Sequence, residues 1–139
     1  MFNRINKVMQ EKLVLLETAK LAKEKEFDLE LDVIWGKNQQ GGWQIWNDIN
    51  GYFVDLEHYQ APTQSLLQKW LREVYKIRIY ITQKVAGDFG FEIYIPNSNK
   101  EKIAGKPWER VSYFTQHYST YEEALEAGLQ EALKLIKNE

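Results

Sequence analysis

The residues predict a mixed α+β fold in which helices pack on antiparallel sheet, and three observations lead there. The apolar period switches between about two and about 3.6 residues along the chain. The last twenty residues carry one unbroken apolar stripe at helical spacing. Glycine, proline and asparagine punctuate these runs at short intervals, and no low-complexity linker divides them. One domain spanning residues 1–139 is therefore expected, with 12–58 and 59–139 as candidate sub-units.

Taken in order, Glu17–Glu26 reads as a short helix with Ala19, Leu21 and Ala22 on its apolar side, extendable back towards Ile5. Phe27, Leu29, Leu31 and Val33 alternate with Asp28, Glu30 and Asp32, the pattern of a half-buried strand. Gly36–Gly42 (GKNQQGG) reads as a turn, and Trp43, Ile45 and Ile49 mark the return strand. Gly51 breaks that strand before a candidate third one, Tyr52–Leu56.

The second half is clearer. Pro62 is suited to the first turn of a helix because its missing N–H is not needed there. That helix runs to Tyr75 with Leu66, Leu67, Trp70, Leu71 and Val74 on its apolar face. Ile77, Ile79 and Ile81 then alternate with Arg78, Tyr80 and Thr82. Phe89, Phe91, Ile93 and Ile95 alternate with Gly90, Glu92 and Tyr94, after a Val85–Asp88 hairpin loop. Pro96 ends that strand, and a third follows a polar loop near Glu109–Gln116. Ser119 or Thr120 caps the final helix, with Glu122 or Glu123 completing a capping box. Tyr121, Leu125, Gly128, Leu129, Ala132, Leu133 and Ile136 form its stripe, with Gly128 expected to admit a strand closely. Both helices should cover the isoleucine and phenylalanine face of the sheet.

Composition narrows the class. At 139 residues, with 44% hydrophobic and 27% charged residues, the chain is globular and long enough for a real core. It has no cysteine, which excludes disulfides, thiol nucleophiles and cysteinyl metal sites. The N-terminal apolar run Leu13–Leu16 is too short for a leader or a membrane span, so a cytoplasmic protein without membrane association is expected. The net charge of −2 conceals segregation. Residues 27–61 hold one basic and six acidic groups, whereas 62–118 hold nine and five. This mild basic excess disfavours a dedicated nucleic-acid binder, which draws most of its affinity from phosphate neutralisation.

Three blocks carry a resemblance: ETAKLAKEKEFD (Glu17–Asp28), YQAPTQSLLQKWLREVYKIRIYI (Tyr59–Ile81) and YSTYEEALEAGLQEALKLI (Tyr118–Ile136). Together they resemble small uncharacterised proteins of bacteriophages, prophages and mobile elements of Bacteroides-like gut bacteria. They cover about 40% of the chain. The resemblance implies a common helical scaffold and a bacterial-host cytoplasmic setting, and carries no activity, metal or cofactor.

Candidate chemistry is sparse. His58 and His117 lack ligand spacing, and Gly105-Lys106-Pro107 is not a phosphate loop. Asp28, Glu30 and Asp32, near Asp55 and Glu57, read as a solvated acidic strand face or, more sharply, a divalent-cation site. Lys100, Lys102, Lys106 and Arg110 surround Trp108, and cations beside a stacking ring suit a nucleotide or another anion. The plainer alternative is a solvated loop with Trp108 tucked into the core. Tyr80, Tyr94 and Phe114, with Arg78 and Ser112, should occupy the sheet face turned away from the helices. Such a face stacks bases in some RNA-binding modules, although Trp35, Trp43 and Trp46 of the first-half strands are available to cover it. The helix–three strands–helix order of 62–137 also resembles the double-stranded-RNA-binding fold. Glu122 and Glu123, however, stand where that family's resemblance implies a basic cluster.

The expectation is thus a non-enzymatic phage or mobile-element accessory protein that binds a host protein or a small anionic ligand such as a nucleotide, and so counters host defence. The alternatives are a nucleic-acid-binding module using the aromatic face, or a cation-dependent enzyme. No cofactor is expected.

Overall fold

A computed structural model describes residues 11–84, 87–96 and 107–137, and for 114–117 the backbone only. The order of elements is α1 (Leu16–Glu24), β1 (Val33–Lys37), β2 (Trp43–Asn47), β3 (His58–Gln60), α2 (Gln64–Val74), β4 (Arg78–Gln83), β5 (Phe89–Pro96), β6 (Trp108–Tyr118) and α3 (Tyr121–Leu135). The strands form two three-stranded antiparallel sheets, ordered β2-β1-β3 and β4-β5-β6. The fold is α+β, with helices packed on sheet.

Two of the three described helices, α2 and α3, begin on a local side-chain cap. Thr63 caps α2 by accepting the Leu66 N–H at 3.1 Å. Thr120 caps α3 by accepting the Glu123 N–H at 3.1 Å, while Ser119 Oγ donates to the Glu123 carboxylate. Pro62 lies one residue before the cap rather than in the first turn, and its carbonyl accepts from Val14 N at 2.9 Å. Both α1 and α2 end in a left-handed residue, Glu26 at φ 65° and Lys76 at φ 60°. Those turns return Phe27 N to the Ala22 carbonyl and Ile77 N to the Leu71 carbonyl.

The core lies on one face of the second sheet. Ile79, Phe91 and Ile93 are buried beneath Leu125, Leu129 and Leu133 of α3 and Leu67 and Leu71 of α2. Gly128 makes this approach possible. A Cβ there would sit 3.0 Å from Ile79 Cγ2 and 3.3 Å from Phe91 Cγ. The first sheet joins the same core through Tyr59 and Trp35, whose Nε1 donates to the Val14 carbonyl at 3.1 Å.

A polar knot ties the three helices together. Glu126 of α3, 5% exposed, accepts from Leu15 N at the start of α1, from Thr18 Oγ1 and from Gln64 Nε2 of α2. Gln130 Nε2 donates back to Thr18 Oγ1 at 3.0 Å. Leu15 brings no capping side chain of its own, so Glu126 supplies the acceptor at the α1 N-terminus across the tertiary structure.

Three sequence expectations need correction. Residues 27–32 are not a strand: the chain reaches its ladder only at Val33, and Gly36 lies inside β1. Tyr52–Leu56 is a turn rather than a strand, because both Asp48 carboxylate oxygens accept backbone N–H groups, from Tyr52 at 2.8 Å and Phe53 at 3.0 Å. The third strand forms later, at His58–Gln60. Tyr121 and Val74, placed on apolar stripes, are exposed.

Candidate functional site

The face of the second sheet that points away from the helices is built by strand register. Arg78 pairs with Tyr94, and Tyr94 with Arg110; Tyr80 pairs with Glu92, and Glu92 with Tyr113. Paired residues share a face, so two rows of three run across the sheet, with Trp108 beyond them opposite Pro96. Simple alternation would not assemble this set. An irregularity between the Ile93 and Tyr94 pairings inserts Val111 as an extra residue in β6. One inserted residue reverses which side chains share a face, so Trp108 and Arg110 join Tyr113. The register accordingly sets Tyr113, rather than Phe114, opposite Glu92, and pairs Ser112 with buried Ile93. That corrects the expected places of Phe114 and Ser112.

Side-chain contacts organise the rows. The Tyr80 and Tyr94 rings meet edge to face at 5.5 Å. The Arg78 guanidinium lies 4.1 Å from the Trp108 ring centre, and that of Arg110 lies 4.3 Å from the Tyr113 ring centre. Arg110 also forms an ion pair with Glu92 at 3.0 Å, and the Tyr94 hydroxyl donates to the other Glu92 oxygen at 3.3 Å. The two arginines therefore differ. Arg110 is held by a carboxylate, whereas among the described residues Arg78 meets none and its buried Nε has no hydrogen-bond partner. Tyr80, Glu92, Tyr94 and Trp108 line an open cleft of about 440 Å³.

The first-half strands do not cover this face. Tyr80 is 48% and Tyr113 54% exposed. Trp43 packs on Tyr59 and Trp46 on Phe53, both within the first half of the chain. Trp108 is half-buried against Arg78 and does not enter the core cluster. Of the expected site residues, Arg78, Tyr80, Tyr94, Trp108 and Arg110 come together; Lys100, Lys102 and Lys106 lie outside the described residues. Sequence reasoning missed Glu92 and Tyr113. The acidic residues of the first half do not converge: among the described residues no three His, Asp or Glu side chains gather as a metal-ligand group. His58 Nδ1 sits 2.8 Å from the Leu56 carbonyl, and the His117 side chain is outside the described set. None of the helices among the described residues is long and apolar enough to cross a membrane.

A larger cleft, about 950 Å³, lies elsewhere, between the ends of α1 and α3 and the Ile77–Ile95–Val111 end of the second sheet. Its lining is mixed, with Ile77, Ile95, Val111 and Ile136 beside Glu24, Glu26 and Lys137, and Lys25 donates to the Ile136 carbonyl at its rim. Comparison with family models, with curated proteins and with solved structures returns no match. The functional reading therefore rests on geometry.

Proposed function

We propose that the protein acts by binding a planar anionic ligand of the nucleotide class on the open face of its second sheet. One observation carries this reading: an exposed aromatic cleft, formed by Tyr80, Tyr94 and Trp108, with Arg78 beside it and, among the described residues, no carboxylate opposing that arginine. The rings offer stacking faces, each worth about 1–3 kcal/mol to a base. Arg78 offers a planar fork to phosphate. Glu92 presents acceptor oxygens to the amino edge of a base while Arg110 balances its charge. In the setting implied by the resemblance of the helical blocks, the protein is a mobile-element accessory factor that takes up a host nucleotide in the bacterial cytoplasm and so blunts a defence signal.

Titration calorimetry with linear and cyclic nucleotides tests the reading. At least one should bind, and Arg78→Ala or Tyr80→Ala should weaken it about tenfold or more. Absence of heat across the panel would sink it. A second reading is favoured by the aromatic rows crossing all three strands, which suit successive bases of a single strand. Steeply salt-dependent binding of oligonucleotides, with none of mononucleotides, would select that alternative.

A further inference from the structure

A second exposed surface lies in the first half of the chain. The loop joining β2 to β3 leaves Ile49 70%, Tyr52 74%, Val54 71% and Leu56 50% exposed. Large apolar side chains so clustered on a surface mark interaction sites more often than chance scatter. The loop is also held in one shape. The Asp48 carboxylate accepts two backbone N–H groups, Val54 N donates to the Gly51 carbonyl, and Leu56 N to that of Phe53. Phe53 is buried as the anchor, its ring 5.3 Å from that of Trp46 and against Gly36, where a Cβ would lie 2.7 Å from Phe53 Cε1. A preformed loop loses little conformational entropy on binding. Behind it, Trp46, Tyr52 and Phe53 contribute to a cleft of about 400 Å³, large enough for one anchoring side chain.

Charge decides the partner. Lys37 is the one basic residue in 27–61; it lines the cleft, but its charge is balanced there by Glu57 at 3.5 Å. Asp55 lies within the loop, and exposed Asp32 adjoins the loop's start, where its backbone carbonyl accepts the Asp48 N–H; neither carboxylate has an ion-pair partner among the described residues. Acidic groups around an apolar centre repel anionic lipid and nucleic acid and complement lysine and arginine.

We infer that the 48–57 loop and its cleft dock a Lys/Arg-rich segment of a partner protein that carries an aliphatic or aromatic anchor. This surface is independent of the aromatic face of the second sheet. The test is selection from a random-peptide display library on the full chain, followed by calorimetry of the enriched peptides. Enriched sequences should combine basic residues with an apolar anchor. Asp55→Lys and Val54→Ser, both exposed positions, should each weaken binding about tenfold with an unchanged circular dichroism spectrum, and Arg78→Ala should leave it unchanged. No enrichment, acidic or neutral enriched peptides, or indifference to both loop substitutions overturns the proposal. Concentration-dependent mass abolished by Val54→Ser would replace the partner with a second copy. Binding to phosphatidylglycerol vesicles through the same residues would replace it with a membrane.

Discussion

Replacing Glu126 by alanine removes the acceptor at which all three helices meet. It strands the Thr18 hydroxyl, one hydrogen of the Gln64 amide and the Leu15 N–H. A buried donor left unmade costs about 1–3 kcal/mol. The Leu15 site is only part-buried, so water can replace that bond. Gln64 keeps its other bond to the Glu122 carbonyl at 2.9 Å, and Thr18 still accepts from Gln130. Removing the carboxyl also removes the cost of burying it, which offsets part of the loss. The balance is a destabilisation of about 3 kcal/mol, a large share of the roughly 5–15 kcal/mol that holds a domain together. With a urea slope of about 2 kcal/mol/M, the unfolding midpoint falls by roughly 1.5 M. Glu126→Gln should lose less, about 1–2 kcal/mol, because its oxygen still serves Thr18 and Leu15 while its amide opposes that of Gln64. A cycle with Thr18→Val should show coupling above about 0.5 kcal/mol. If Glu126→Ala shifts the midpoint by less than about 0.3 M, the carboxylate does not join the helices and the reasoning fails.

Three other outcomes follow from the same geometry. Gly36→Ala forces a Cβ into the Phe53 ring and should destabilise by about 1–3 kcal/mol, with limited proteolysis quickening first in the 48–57 loop; cleavage at an unchanged rate would show that Phe53 does not anchor it. Thr120→Ala should cost about 1 kcal/mol by removing the α3 cap, seen as a lower thermal midpoint, whereas Thr120→Ser should recover most of it. The Tyr59 hydroxyl, donating at 3.1 Å, holds the Glu57 carboxyl below its ordinary value, with a smaller contribution from Lys37, and burial raises the Tyr59 phenol. A depressed carboxyl contributes stability above its unfolded value, and that contribution disappears as pH falls through the lower folded one. An NMR titration should therefore show Glu57 protonating late, and Tyr59→Phe should return it upward; no movement would refute the assignment.

The second half of the chain was legible because its elements satisfy periodicity and neighbours together. Ile79, Phe91, Ile93 and Leu129 alternate or recur as the layers demand, and all are buried. Gly128 was readable as a close approach since no other residue in the stripe lacks a side chain. The first half misled where a local pattern had no partner strand. Phe27–Asp32 alternates, yet Phe27 N is spent on closing α1 and Leu31 N donates to the Gln60 side chain. Nothing in the local pattern marks Asp48, whose carboxylate fixes the turn that displaces the third strand. The role of Glu126 is not visible in the sequence, because periodicity cannot reveal which polar position of α3 meets two other helices. The β6 insertion at Val111 was equally hidden, so Glu92 and Tyr113 could not be joined to the site in advance.

The two arginines of the open face settle how a ligand could enter it. Each stacks on a ring, a contact worth about 0.5–1 kcal/mol at an exposed site. Displacing Arg110 would also break its ion pair with Glu92, whereas among the described residues Arg78 would give up the Trp108 stack alone. Arg78 is thus the residue free to turn towards an anion, while Arg110, Glu92 and Tyr94 stay joined as a fixed floor. On the proposed reading, a flat neutral base would take the place of the flat guanidinium on the Trp108 ring, with little apolar surface exposed in between. The helices that cover this sheet, α2 and α3, pack on its opposite side, so among the described residues no helix stands between the aromatic rows and solvent.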